Sequence, residues 1–116
     1  MIKLVNLYLG FTARVGAAEF LYELMKERDP QINISHSTLP SWPEHHRFVH
    51  SRPYRFWYLI EQHPEGREEF DWIGFVSATW RNELGIVLRT HYRGKGFGPA
   101  ALSLFMQQHE PLPAQP

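Results

Sequence analysis

Cysteine is absent from this 116-residue chain, which excludes disulfide frameworks, thiolate-bound zinc, iron–sulfur clusters and thiol nucleophiles. An excess of either charge is absent as well. Twelve basic and twelve acidic residues cancel. A protein that works mainly on phosphate backbones carries a basic surplus, so no nucleic-acid partner is expected and any anion site must be local. No run approaches the ~20 apolar residues of a membrane-spanning helix, so no membrane partner is expected. Met1–Gly10 is apolar but short and interrupted by Asn6, and it reads as a strand rather than a signal peptide. Internal repeats and low-complexity tracts are missing too. These absences point to a soluble cytoplasmic protein.

What is present suits a single hydrophobic core: 43% of residues are hydrophobic and 15% aromatic, in a chain of one-domain length. Ile2–Leu9 alternates, with Val5, Leu7 and Leu9 on one face, and reads as a strand. Ala17–Arg28 has helical spacing, with Phe20, Leu21, Leu24 and Met25 as its apolar stripe. Asp29-Pro30 ends it, because the residue before a proline avoids the helical region. Ser41-Trp-Pro-Glu44 has the form of a capping box and predicts a second helix over 42–51.

Tyr54–Gln62, Phe70–Trp80 and Glu83–Leu88 read as strands, joined by a turn at His63–Arg67 and a tight connection at Arg81-Asn82. Arg89–Lys95 is loop. Pro99–His109 is helical, with Ala100, Ala101, Leu104, Phe105 and Met106 facing inward. The order is β-α-α-β-β-β-α, an α+β domain in which helices pack on the faces of a mainly antiparallel sheet. The domain is expected over 1–109, with a proline-rich irregular tail at 110–116.

The segment Asn82–Phe105, NELGIVLRTHYRGKGFGPAALSLF, carries the functional signal. A strand leads into a loop holding Gly94, Gly96 and Gly98, and a helix follows at once. Glycine lets backbone approach a ligand closely, and the first amides of a helix lack internal partners and sit at its positive end. Together they suit a pyrophosphate, with Arg93 and Lys95 adding charge. The P-loop pattern fails, since Gly94-Lys95 is followed by Gly96 rather than Ser or Thr. The dinucleotide pattern fits as Gly96-x-Gly98-x-x-Ala101, yet its acidic residue would fall at or beyond the chain end.

Arg93-Gly94-Lys95-Gly96-Phe97-Gly98 resembles the [Q/R]-x-x-G-x-[G/A] signature of the GCN5-related N-acetyltransferases. NELGIVL resembles that family's fourth strand, and FLYELMKERDP…ISH…PSWPEHHRFVHSRPYRFWYLIE is similar to bacterial members. The resemblance implies a three-layer domain that transfers an acetyl group from acetyl-CoA to a primary amine of a small molecule such as an amino sugar. It implies that the pyrophosphate is held by the amides of Arg93, Gly94, Lys95, Gly96, Phe97 and Gly98. The pantetheine arm would pair with the backbone of Ile86, Val87 and Leu88, and no metal is required. Glu83 would be either the acid–base residue that relays the amine's proton or a solvent-facing strand-end glutamate. The family continues past this helix with a further strand and helix that carry the general acid. Here Pro-Leu-Pro-Ala-Gln-Pro follows, so the expectation is a C-terminally incomplete domain, active or a non-catalytic acyl-CoA binder, whose open sheet edge invites a second copy.

Other residue types allow other readings. His46 and His50 are i, i+4, the spacing at which two imidazoles share an ion, but the plainer reading is a solvated face. The family resemblance implies that His45, His46 or Arg47 would border the acceptor site. His91 and Tyr92 flank the glycine loop and read as loop packing. Trp57, Tyr58, Trp72 and Trp80 read as core or as acceptor-pocket walls. Ser77 and Ser103 lack a nucleophile-elbow context.

Overall fold

Alternation along four segments produces one antiparallel sheet. The computed structural model describes residues 1–9, 16–27 and 39–109. In it β1 (Ile2–Asn6), β2 (Phe56–Gln62), β3 (Asp71–Ala78) and β4 (Leu84–Leu88) lie side by side in chain order, each antiparallel to the next. Successive side chains leave a strand on opposite faces, so Trp57 and Leu59 enter one core while Tyr58 and Ile60 enter another. The helices α1 (Ala17–Lys26) and α2 (Trp42–His50) cover the first core through Ala17, Ala18, Leu21 and Val49. The helix α3 (Phe97–His109) covers the second through Ala101 and Phe105. The described residues thus form an α+β fold of four antiparallel strands and three α-helices, in the order expected. A 3₁₀ turn, Thr90–Tyr92, adds to it.

Where the boundaries differ from expectation, local hydrogen bonding is the reason. β1 stops at Asn6 because the Asn6 Oδ1 accepts from the Tyr8 amide at 2.9 Å, turning the chain. Leu9, expected on the buried face, is consequently 63% exposed. The Ser41 cap behaves as expected: its Oγ accepts from the Glu44 amide and the Glu44 carboxylate accepts from the Ser41 amide. The α1 stripe holds, with Leu21 and Leu24 buried and Phe20 packed on Trp72. On α3 the inward face is Gly98, Ala101, Leu102, Phe105 and Met106, while Ala100 is exposed. Arg28, Asp29 and the tail over 110–116 lie outside the described residues.

β3 carries one irregularity. Its pairing with β2 shifts between Ile60 and Glu61, so that Ile60 opposes Gly74 and Glu61 opposes Trp72, leaving Ile73 as the extra residue. The bulge lies opposite the end of β4, where the glycine loop begins.

Candidate anion-binding site

β4 is the last strand of the sheet, and hydrogen bonding decides which of its backbone groups are free. The Arg89 amide donates to the Ile73 carbonyl at 2.8 Å, and the Thr79 amide donates to the Glu83 carbonyl at 3.0 Å. In an antiparallel ladder bonded and non-bonded pairs alternate. With Phe75 opposite Val87 and Ser77 opposite Gly85, Val87 and Gly85 spend their backbone groups on β3. Leu84, Ile86 and Leu88 turn theirs to the open edge. Of the three residues expected to pair with pantetheine, Ile86 and Leu88 are therefore suitably turned, and Val87 is not.

Beyond Leu88 the chain passes through the 3₁₀ turn, becomes extended at Arg93 (φ −75°, ψ 151°), and reaches Gly94 at φ 72° and Gly96 at φ 87°. Lys95 between them lacks a positive φ, so the backbone hand alternates along Arg93–Phe97. Such alternation makes successive amides line a concavity that favours anions. The Ala100 amide closes the first turn of α3 on the Gly96 carbonyl at 3.3 Å. Among the described residues, no partner is recorded for the amides of Gly94, Lys95, Gly96, Phe97 and Gly98. Five donors free of partners among the described residues, at the positive end of a 13-residue helix, have the arrangement that suits an anion. A Cβ on Gly94 or Gly96 would meet nothing within 4 Å, so the space over the loop is open.

The helix starts at Phe97, two residues before the expected Pro99. Pro99 is its third residue, where an amide would still lack an i−4 carbonyl, so the proline breaks no helical bond. Gly98 thereby moves from the loop into the helix and is buried, its α-carbon aimed at Ile86 and Leu88. A Cβ there would lie 3.8 Å from each, so α3 meets β4 at this point with room for an alanine. Arg93 also differs from expectation: its Nε donates to the Leu88 carbonyl at 3.1 Å, so the guanidinium folds back onto the end of β4. Lys95 and His91 remain exposed beside the loop.

Two residues that sequence reasoning passed over fix this geometry. The Glu27 carboxylate accepts from the Arg89 Nε and from the Thr90 amide, both at 3.1 Å, and so ties the end of α1 to the loop. Gly74, beside the bulge, admits the backbone of Val87 and Leu88 where any side chain would collide. A glycine inside an otherwise apolar strand pattern was the available signal.

The remaining candidates fall into place singly. Glu83 precedes β4, is exposed, and lies in the β3–β4 turn with its amide on the Thr79 Oγ1 at 3.1 Å. His45 is 2% exposed and its ring reaches the Ala18 carbonyl, so it is core rather than surface. His46 and His50 stack at 4.3 Å and are exposed, as is Arg47. No cluster of three metal-ligating side chains occurs among the described residues. Trp57 and Tyr58 are buried in opposite cores, Trp72 is half-buried, and Trp80 is 68% exposed and lines neither core. Tyr92 packs on Phe97, Ser77 is buried, and Ser103 is exposed. No described helix is long and apolar enough to cross a membrane.

No protein-family model and no curated protein matches this chain significantly. The crystal structure of a domain from Methanocaldococcus jannaschii is similar to it, with a TM-score of 0.68. The match covers 95% of this chain and 71% of that one at 19% identity. At that identity the likeness concerns the fold alone.

Proposed function

We propose that this chain binds acyl-coenzyme A and acts as an N-acetyltransferase of the GCN5-related type, with a small primary amine such as an amino sugar as acceptor. One observation carries the reading: the glycine concavity and the open edge of β4 are contiguous, so a single extended ligand can engage both. The layer order supports it, with α1 and α2 on one face of the antiparallel sheet and α3 on the other.

In this reading the amides of Gly94–Gly98 take the pyrophosphate, with Lys95 adding charge from solvent. Hydrogen bonds to a charged partner contribute about 1.5–3 kcal/mol each, and ~8 kcal/mol corresponds to micromolar affinity. About three bonds at the upper end of that range, or about five at the lower end, reach it before the cost of association is met. The pantetheine arm adds to the β4 edge as a short extra strand through Ile86 and the Leu88 amide, since the Leu88 carbonyl is held by Arg93. The cofactor supplies an activated thioester. An outward amide of Ile86 or Leu88 polarises its carbonyl, an effect of the oxyanion-hole kind. Glu83, at the head of the same strand, takes the proton from the ammonium directly or through water.

Calorimetric titration with acetyl-CoA tests binding, with micromolar affinity expected. Absence of binding at millimolar ligand, or undiminished binding by Gly96→Ala, overturns the site. Release of CoA thiol with a panel of small amines tests turnover.

The position of Glu83 favours a second reading, a domain that binds acyl-CoA without transferring the acyl group. Its side chain is exposed, stands outside β4 and is 3.5 Å from the Thr79 hydroxyl. That reading predicts calorimetric binding with no thiol release for any amine.

A further inference from the structure

Two buried polar atoms lack partners among the described residues: the Nδ1 of His45 and the Nε1 of Trp57. Both side chains line one cavity of about 100 Å³ between α1, α2 and the sheet. His45 is 2% exposed and Trp57 3%. An unpaired polar atom in such a place carries its full desolvation cost, so each needs an explanation.

The two atoms are chemically complementary. The His45 Nε2 lies 2.9 Å from the Ala18 carbonyl, which can only accept, so the imidazole proton sits on Nε2 and Nδ1 presents a lone pair. Burial favours the neutral ring. The indole Nε1–H of Trp57 can only donate. A hydroxyl group, donor and acceptor in a single atom, has the chemistry that both require. The other walls are mostly apolar, with Leu21 and Leu24 from α1, Phe75 from β3 and Val87 from β4, and Tyr54 is the further polar residue among them. A water fills about 30 Å³ and needs two to four polar partners, so most of the remaining space has little to offer a second or third water. An apolar body fills it better. A cation is disfavoured because the indole presents a proton and no carboxylate lines the cavity. An anion is disfavoured because no charge lines it.

We propose that this cavity binds a small neutral molecule with an apolar body and one hydroxyl group, a phenol or short alcohol, hydrogen-bonded between Trp57 and His45. The site is separate from the glycine loop. Val87 reaches the cavity from the α1 and α2 face of β4, whereas Ile86 and Leu88 pack on α3. Loss of acyl-CoA binding would leave it untouched.

Phenol and toluene, near-isosteres that differ by a hydroxyl for a methyl group, separate the outcomes. The four tryptophans give four indole N–H resonances in protein labelled with ¹⁵N, and Trp57→Phe identifies the one belonging to Trp57. Phenol is expected to shift that resonance saturably and to bind at least tenfold more tightly than toluene. Trp57→Phe, its fold checked by circular dichroism, should reduce phenol binding to the toluene level. Equal binding of the two ligands overturns the proposal, as does an indole resonance unmoved by phenol. A resonance that shows contact to a bound water which phenol does not displace overturns it as well. The comparison of phenol with toluene is made on the wild-type chain alone, so an unfolded variant does not rescue the idea.

Discussion

Gly74 and Val87 meet across β3 and β4 so closely that a Cβ on Gly74 would collide with the Val87 carbonyl oxygen and stand 2.9 Å from the Leu88 Cα. Both obstacles are backbone of the strand that leads into the glycine loop, so neither can yield by a rotamer change. Gly74→Ala is expected to cost about 1–3 kcal/mol or more, the range for overpacking. It should also weaken acetyl-CoA binding, because β4 must move. Urea midpoints and calorimetry on the same variant check both effects. An unchanged midpoint would mean that the approach is looser than described.

The three loop glycines should separate into two classes. Gly94 and Gly96 have open space around them but positive φ, so alanine there costs about 1–2 kcal/mol through the backbone alone. Acetyl-CoA affinity should fall tenfold or more, because the amides turn away. Gly98 has no positive φ, and a Cβ there would lie 3.8 Å from Ile86 and Leu88, ordinary contact. Gly98→Ala should leave affinity within about twofold and raise stability by roughly 0.5–1 kcal/mol through helix propensity. A Gly98→Ala variant that lost binding would mean that the α-carbon of Gly98, and not only its amide, lies against the ligand.

Glu27→Gln removes the charge that pairs with Arg89 while keeping an acceptor for the Thr90 amide. The pair is substantially exposed, so stability should drop by only about 0.5 kcal/mol. The expected signature is a several-fold loss of acetyl-CoA affinity with little change in Tm. Equal losses in the two would point to a general effect on folding.

Stability should fall as the solution is acidified from neutral. Burial lowers the pKa of His45, and burial, with Arg55 nearby, lowers that of His109, whose Nε2 is hydrogen-bonded with the Tyr58 hydroxyl at 2.6 Å. The unfolded chain then binds protons that the folded chain refuses. The stabilisation is full above the ordinary histidine pKa of about 6.5, and it is lost as pH falls from there through the depressed folded-state values. Urea midpoints at descending pH should decline across this window. His109→Gln, which keeps an acceptor for Tyr58 but cannot titrate in this range, should flatten part of the decline. An undiminished slope would assign the effect to other groups.

Local chemistry carried much of the architecture. The Ser41–Glu44 cap, the α1 stripe and the aromatic run at Phe56–Ile60 depend on neighbours within a few residues, which periodicity and capping rules read directly. The glycine loop was legible for the same reason, because positive φ at Gly94 and Gly96 is a property of glycine itself. Burial of His45 was not legible, since its partner is the Ala18 carbonyl 27 residues away.

The sequence by itself therefore determined the order of elements and the presence of a glycine turn ahead of α3, because both follow from short-range periodicity and backbone freedom. Tertiary structure alone decided which strand residues offer free amides, where α3 begins, and that Gly74 and Glu27 hold the loop in place. Ladder phase, strand approach and contacts across 62 residues, such as Glu27 with Arg89, depend on how distant segments meet. No local rule encodes that.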